Sequence, residues 1–430
     1  MLVSKNLKPL YVGFIILVLI SIGINIGLLD FADDVVFSHA LDNISLFEYI
    51  LTRYAIWSGR VTIDALMVWT INHHWIWRLF IPLSLLLLCT SISRIAYGKI
   101  SLAATVSSLS LFLMIPAAVN ENASWWVTGF YNYLLPVSLA TYAISILLNP
   151  QKHTITEKSL AILSLFLSCY NEQTSIALIL ISLIMTLISD AGNRKYSLLF
   201  FFVSVINSFI LFNAPGNIER SIKESWRWMP GFQDMSLMQK LTFGLDRVHQ
   251  AVVIHDGIIF GFLCFLSILL IIKKTTSLTK TAKLAIFFLS LHIILMLIKH
   301  FGIINLGPSF YNENYISPSR WVSYSRYISY FVILMVLLAN IYVLLSIAIK
   351  NSDSFLPFLS LLIGCASIAM LSFSPTVFAS GMRVLFLFEV ALIITCMKTY
   401  ATHFSCNAMK NSYLTVLLIS LATYTFSVTT

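Results

Sequence analysis

Apolar runs of about twenty residues, each long enough to cross a bilayer, recur from one end of this chain to the other. They occupy roughly 9–29, 75–95, 101–118, 126–148, 158–189, 196–213, 252–273, 282–303, 326–349, 355–373, 381–399 and 411–428. Only 10% of the residues are charged, where a soluble domain carries about a quarter, so nothing between the runs could supply a soluble domain's surface. The expected fold is an all-α polytopic membrane protein, a single integral membrane domain over residues 1–430. The six cysteines lack metal-ligand spacing, and all but Cys406 lie in or against apolar runs, where they act as small hydrophobes. The net charge of +9 is not gathered in a basic stripe, which points away from nucleic acid and toward the cytoplasmic bias of a membrane protein. Lys5 and Lys8 precede a first run that Asn25 and Asp30 close without a small-residue cleavage site, so it reads as a retained span.

The run 158–189 is too long for one simple span and carries Asn171, Glu172 and Gln173 at its middle. It is either one tilted helix with polar groups at its centre or two short helices that turn at those residues. The short connections Asp190–Lys195, Lys273–Lys283, Lys350 and Lys398–Lys410 are basic, and only paired helices put them all on the cytoplasmic side. The bundle then has about 12–13 helices, with the N-terminus inside and the C-terminus outside. The long loops 30–74, 119–125, 214–251, 304–325 and 374–380 face outward. No internal repeat of the kind common in transporters is visible. In the first loop Ile63, Leu66, Met67 and Trp69 suggest a helix lying at the interface, with Trp57, Trp69, Trp75 and Trp77 as anchors.

Polar chemistry concentrates on the outer face. Asp30, Asp33 and Asp34, in LLDFADD, could supply a general base or hold a divalent ion, or could simply end a helix in an Asp-rich turn. Arg60, in WSGR, could clamp a phosphate bidentately and could pair with Asp64 one turn on; Gly59 beside it permits close approach. Arg53 and Arg78 read as headgroup anchors. In ENASWWVTGFYNYLLP, Glu121 and Asn122 open a span lined by Trp125, Trp126, Tyr131 and Tyr133 with Asn132 inside it. An aromatic belt explains the tryptophans, but the density of polar edges suits a sugar ring and its hydroxyls.

Glu172 is either the tip of a polar hairpin or a carboxylate facing the same space as Asp33. In NAPGNIER, Pro215-Gly216 forces a turn ahead of Arg220, which can cradle an anion or form a salt bridge. His249 and His255 lack a third ligand and read as surface or interface histidines; His73 and His74, as neighbours, share no helix face. Lys299 reads as a snorkelling residue. Arg320 and Arg326 belong to an aromatic outer loop. Arg383, in SPTVFASGMR, stands just inside a span after a Gly turn, and Glu389 is too far along the helix to pair with it. It is the best phosphate-clamp candidate.

LLDFADD with WSGR, then ENASWWVTGFYNYLLP, NEQTS, NAPGN-x-x-R and SPTVFASGMR, resemble in the same order a widespread bacterial family of uncharacterised polytopic proteins. That family is similar to the Gtr-type, serotype-converting glucosyltransferases of O-antigen modification. The resemblance spans about residues 25–390 and implies a GT-C-like enzyme without a large soluble C-terminal domain. Such an enzyme takes a sugar from a polyprenyl-phosphate donor and attaches it to a lipid-linked glycan acceptor on the periplasmic face of the bacterial inner membrane. The class also implies a small flippase and a donor-making synthase as partners. Its catalytic base is an aspartate of the first outer loop, here Asp33 or Asp34. The expected binding residues are Arg60, Glu121, Asn122, Trp126, Asn132, Tyr133, Glu172, Arg220, Arg320 and Arg383, with no metal ligands assigned and a divalent cation the only cofactor considered. The rival readings are a lipid-linked saccharide transporter or polymerase, and a non-enzymatic partner of a cell-wall complex.

Overall fold

A computed structural model of the protein describes residues 7–253, 257–274, 278–303, 324–351 and 354–404, with Thr415, Leu418 and Ile419. Arg320 and nearly all of the expected span 411–428 lie outside these described residues. The described chain is helical. Its order begins α1 (Lys8–Asn25), α2 (Asp33–Ser38), α3 (Leu46–Ile56), α4 (Val61–Thr70), α5 (His74–Tyr97) and α6 (Leu102–Leu113). There follow α7 (Ala117–Trp125), α8 (Val127–Leu147), α9 (Ile155–Ser168), α10 (Glu172–Ile188), α11 (Ala191–Phe212) and α12 (Pro215–Trp228). The last are α13 (Leu237–Val253), α14 (Ile258–Lys274), α15 (Lys280–His300), α16 (Tyr324–Ala348), α17 (Phe355–Phe373) and α18 (Arg383–His403).

Among the described residues, eight of these helices are long and apolar enough to cross a membrane: α1, α5, α8, α11, α15, α16, α17 and α18. Two bent pairs raise the number to ten, α6 with α7 at 95° and α13 with α14 at 80°. The expected count was higher because it included the pair within 158–189, whose members α9 and α10 are each shorter than a full span, and the run 411–428.

The run 158–189 breaks where its polar residues stand. Asn171 caps α10 by accepting the Thr174 N–H at 3.0 Å, and Thr154 with Glu157 forms a capping box at the start of α9. The two helices run in opposite directions beside α11. At one end Tyr196 Oη donates to the Lys158 carbonyl at 3.1 Å and Ser189 meets Ser197; at the other Tyr170 Oη donates to Asn207 Oδ1 at 3.1 Å. The paired-helix arrangement is therefore the one observed. Residues 155–158, 188 and 196 lie at one end of the bundle, residues 170–172 and 207 at the other.

The main core gathers Trp77, Ile81 and Leu85 of α5 against Phe112, Phe130, Leu134, Phe386 and Phe388. With lipid outside, van der Waals fit rather than water exclusion holds such a bundle, and small residues set how closely helices approach. At Gly364 of α17 an added Cβ would stand 3.0 Å from the Ala391 Cβ and 3.1 Å from the Phe388 ring of α18. Trp77 is fully buried, its indole N–H donating to the Ile71 carbonyl at 2.9 Å, so it is a core residue and not an interface anchor. Trp69 and Trp75 are exposed as an interfacial position requires, while Ile63 and Met67 of α4 turn into the core. The link ahead of α4 is locked by glycines. An added Cβ at Gly59 would meet the Leu211 carbonyl oxygen at 2.1 Å, and one at Gly216 would meet the Trp57 nitrogen at 2.2 Å. WSGR and NAPGN are thus pressed together, with Asn217 donating to the Leu211 carbonyl at 2.7 Å.

Candidate functional site

At the end of the bundle marked by residues 170–172, the short helices of the first loop, α12 and the starts of α8, α10 and α18 surround a polar cavity of about 540 Å³. Its walls include Asp33, Arg53, Arg60, Asp64, Trp126, Asn132, Tyr133, Glu172, Arg220, Glu224 and Arg383. Residues from six separated motifs meet here.

The Asn171-Glu172-Gln173 break organises much of it. Asn171 Nδ2 donates to the Asn132 carbonyl at 2.9 Å, and Gln173 Nε2 donates to the carbonyls of Ser367 and Val384 at 2.8 and 3.0 Å. Glu172 receives Arg60 on both carboxylate oxygens, through Nε at 3.1 Å and Nη2 at 2.6 Å, while Arg60 Nη1 donates to Asn132 Oδ1 at 2.7 Å. Asn132 reaches the cavity from a π-helical turn, Phe130–Leu134, of the type that often marks functional positions. Burial works against the charge of Arg60, but Glu172 outweighs it and lifts the guanidinium pKa further above its ordinary value. Arg60 is consequently a permanently charged, internally paired group.

Asp64 does not pair with Arg60. Its carboxylate accepts Arg53 Nε at 3.1 Å, and burial lifts its pKa against the pull of that arginine. Arg53, expected as a headgroup anchor, instead stands in the cavity wall among the Phe37, Tyr49 and Trp57 rings, at 5.3, 5.8 and 5.8 Å. The spacing of Tyr49 and Trp57, four residues either side of Arg53, was the available signal.

The two adjacent aspartates do different things. Asp34 is fully buried and engaged: Oδ1 accepts the Thr128 N–H at 3.0 Å and the Thr128 hydroxyl at 2.5 Å, and Oδ2 accepts the Leu29 N–H at 3.0 Å. Asp33 is exposed and lines the cavity. Immediately before them Ala32 holds φ +61° and ψ −146°, a left-handed conformation that costs a non-glycine residue about 1–3 kcal/mol. The bonds to Asp34 hold that turn and so aim Asp33. Asp42 is outside the cavity, paired with His39 at 2.9 Å.

Two arginines of the cavity form no ion pair among the described residues. Arg220 lies 5.9 Å from the Trp57 ring, and its pKa is lowered by burial and then by the neighbouring Arg60 charge. Arg383 lies 5.0 Å over the Trp126 ring with its Nε buried and lacking a hydrogen-bond partner; the Trp126 Nε1 is in the same position. Arg247, an unforeseen residue 1% exposed, braces the turn before Arg383 by donating to the Val377 carbonyl at 2.7 Å and the Gly381 carbonyl at 2.9 Å. His249 is buried rather than superficial, stacked on Tyr330 at 4.0 Å and bonded to Ser329 at 2.9 Å. His255 lies outside the described residues.

Glu121 and Asn122 are exposed and absent from the cavity wall, and Trp125 packs on Phe112 in the core. Tyr131 turns the other way, bonding Thr70 at 2.6 Å and lining an apolar groove of about 690 Å³ with Ile63, Leu66, Phe80 and Leu83. The same π-helical turn therefore divides a polar cavity from an apolar groove. Among the described residues no three His, Cys, Asp or Glu side chains are placed to hold a metal ion. Comparison with protein families, curated proteins and solved structures finds no match for this chain.

Proposed function

We propose that the protein is a GT-C-like membrane glycosyltransferase that moves a glucose-like sugar from a polyprenyl-phosphate donor to a lipid-linked O-antigen or other cell-surface glycan at the periplasmic face of a bacterial inner membrane. The observation that carries this reading is the meeting, in one cavity, of the Asp33 carboxylate with Arg220 and Arg383, two arginines that form no ion pair among the described residues.

Arg220 and Arg383 receive the donor phosphate, Arg383 also offering its orphaned Nε beside the Trp126 indole N–H. Trp126 and Tyr133 supply flat and hydrogen-bonding edges for the sugar. The apolar groove across the Phe130–Leu134 turn takes the isoprenoid tail. Asp33 accepts the proton of an acceptor hydroxyl as its oxygen bonds to the anomeric carbon. The bond from that carbon to the phosphate oxygen breaks, polyprenyl phosphate leaves, and the configuration inverts. Negative charge grows on the departing phosphate, where preorganised arginines stabilise the transition state most. A phosphate monoester leaves without protonation, so one base suffices.

Reconstitution of the full chain in liposomes with polyprenyl-phosphate glucose and a lipid-linked glycan tests the reading. Glucose joined to the acceptor supports it. Donor carried across the bilayer with no transfer would replace it with a transporter.

A further inference from the structure

Helices α8, α10, α17 and α18 contribute to the polar cavity at one end, and at their other end they enclose a second pocket of about 270 Å³. One of its walls is cationic, built from Arg94 of α5, Lys152 and His153 of the α8–α9 link, and Lys398 of α18. Much of the remaining lining is apolar, including Met185 and Ile188 from α10 and Leu356 from α17. A pocket that is charged on one side and greasy on the other, at the level of helix ends, has the two chemistries of a phospholipid at its headgroup boundary.

Arg94 is the decisive side chain. It is 15% exposed, and its guanidinium sits 6.0 Å from the Tyr142 ring with Nη2 3.5 Å from Glu157 Oε1. Its Nη1 is buried without a hydrogen-bond partner. Glu157 is committed elsewhere, since its Oε2 accepts the Thr154 N–H at 3.0 Å and lies 3.4 Å from His153 Nδ1. Lys398 of α18 also lines the pocket, its Nζ donating to the Ala96 carbonyl at 3.4 Å. Among the described residues, a guanidinium N–H left unsatisfied on Arg94, whose carboxylate is shared with Thr154 and His153, leaves a place for an anion.

We propose that this pocket binds the phosphodiester of an anionic phospholipid, with the phosphate on Arg94, Lys152 and Lys398 and the start of an acyl chain along the apolar wall. Lipid rather than free phosphate is the source because half the lining could not benefit from a small hydrated ion. The inference stands apart from the glycosyltransferase reading, since it concerns the opposite end of the bundle.

Native mass spectrometry of the full chain in neutral detergent, titrated with phosphatidylglycerol, phosphatidylcholine or inorganic phosphate, tests it. Phosphatidylglycerol should be retained in preference to phosphatidylcholine. Arg94→Gln and Lys398→Gln should each weaken that retention by about fivefold, the effect of one cation near a lipid surface. Leu356→Trp, which fills the apolar side without touching charge, should weaken it as well and serves if the Arg94 variant fails to fold. Equal retention of both lipids, or unchanged retention in Lys398→Gln and Leu356→Trp, overturns the proposal. Displacement of phosphatidylglycerol by inorganic phosphate at similar concentration would assign the site to free phosphate and overturn its lipid source.

Discussion

The guanidinium of Arg383 lies 5.0 Å over the ring of Trp126, and neither its Nε nor the Trp126 Nε1 has a hydrogen-bond partner. Both residues line the polar cavity, and a buried donor without an acceptor carries a desolvation cost that a bound acceptor would offset. Arg383→Ala should lower sugar transfer per folded molecule by more than about tenfold, with Arg383→Lys recovering part of it because charge returns without the planar donor pair. Steady-state rates with a polyprenyl-phosphate sugar check this, and a change within about threefold would leave Arg383 as an interfacial anchor.

Asp33 and Asp34 are neighbours with separable roles. Asp34→Ala strips three hydrogen bonds from a buried turn and should cost about 2–4 kcal/mol of stability. Asp33→Asn should leave stability nearly unchanged. Ala32→Gly relieves the positive φ at some cost in chain entropy, for a net gain of about 0.5–2 kcal/mol. Thermal unfolding of the three variants in one detergent orders them. A stabilised Asp34→Ala, or a destabilised Ala32→Gly, would contradict the role given to that turn.

Arg60 and Glu172 form a partly buried pair whose members are 18% and 27% exposed. Glu172→Gln leaves the guanidinium without its counter-charge and should cost about 1.5–3 kcal/mol, less than in a fully buried pair. Replacing both by leucine should recover part of that stability and none of the activity. Unfolding midpoints and transfer rates of the single and double variants measure both effects.

The expected sidedness gives the two ends of the bundle different access to reagents. A cysteine placed at Asn217, beside the polar cavity, should react with a membrane-impermeant thiol reagent from outside in intact cells. Cysteines at Lys195, Lys280 and Lys350 should react only after permeabilisation, because short basic connections stay in the cytoplasm. Labelling of residue 217 from the cytoplasmic side alone would invert the bundle. Tyr315, another expected outward position, lies outside the described residues.

The spans were legible because apolar length is set by bilayer thickness, and the break at Asn171 was legible because only paired helices put the short basic connections on one side. Which polar residues share a cavity was only partly so. Asp33, Arg220 and Arg383 could be picked out as charged groups at span ends, but their convergence arises between distant segments, as the close approaches at Gly59 and Gly216 that join WSGR to NAPGN illustrate. Glu121 and Asn122 misled because they adjoin Trp126 in sequence, whereas the π-helical turn of α7 leaves them exposed. Arg53 was underrated for the opposite reason: an arginine near aromatics looks like an anchor until its acid, Asp64, is found across the fold, and the carbonyls that Arg247 meets at Val377 and Gly381 are likewise distant in sequence.

The central claim is that Asp33 removes the acceptor's proton. The most direct measurement compares sugar transfer by the purified full chain and its Asp33→Asn variant, from polyprenyl-phosphate glucose to a lipid-linked glycan, with Asp42→Asn as control. The amide keeps size and part of the hydrogen bonding but cannot take a proton at neutral pH. Transfer by Asp33→Asn should fall by about 10²–10⁴-fold while Asp42→Asn stays near the parent rate. A folded Asp33→Asn protein that transfers sugar at the parent rate would contradict the account.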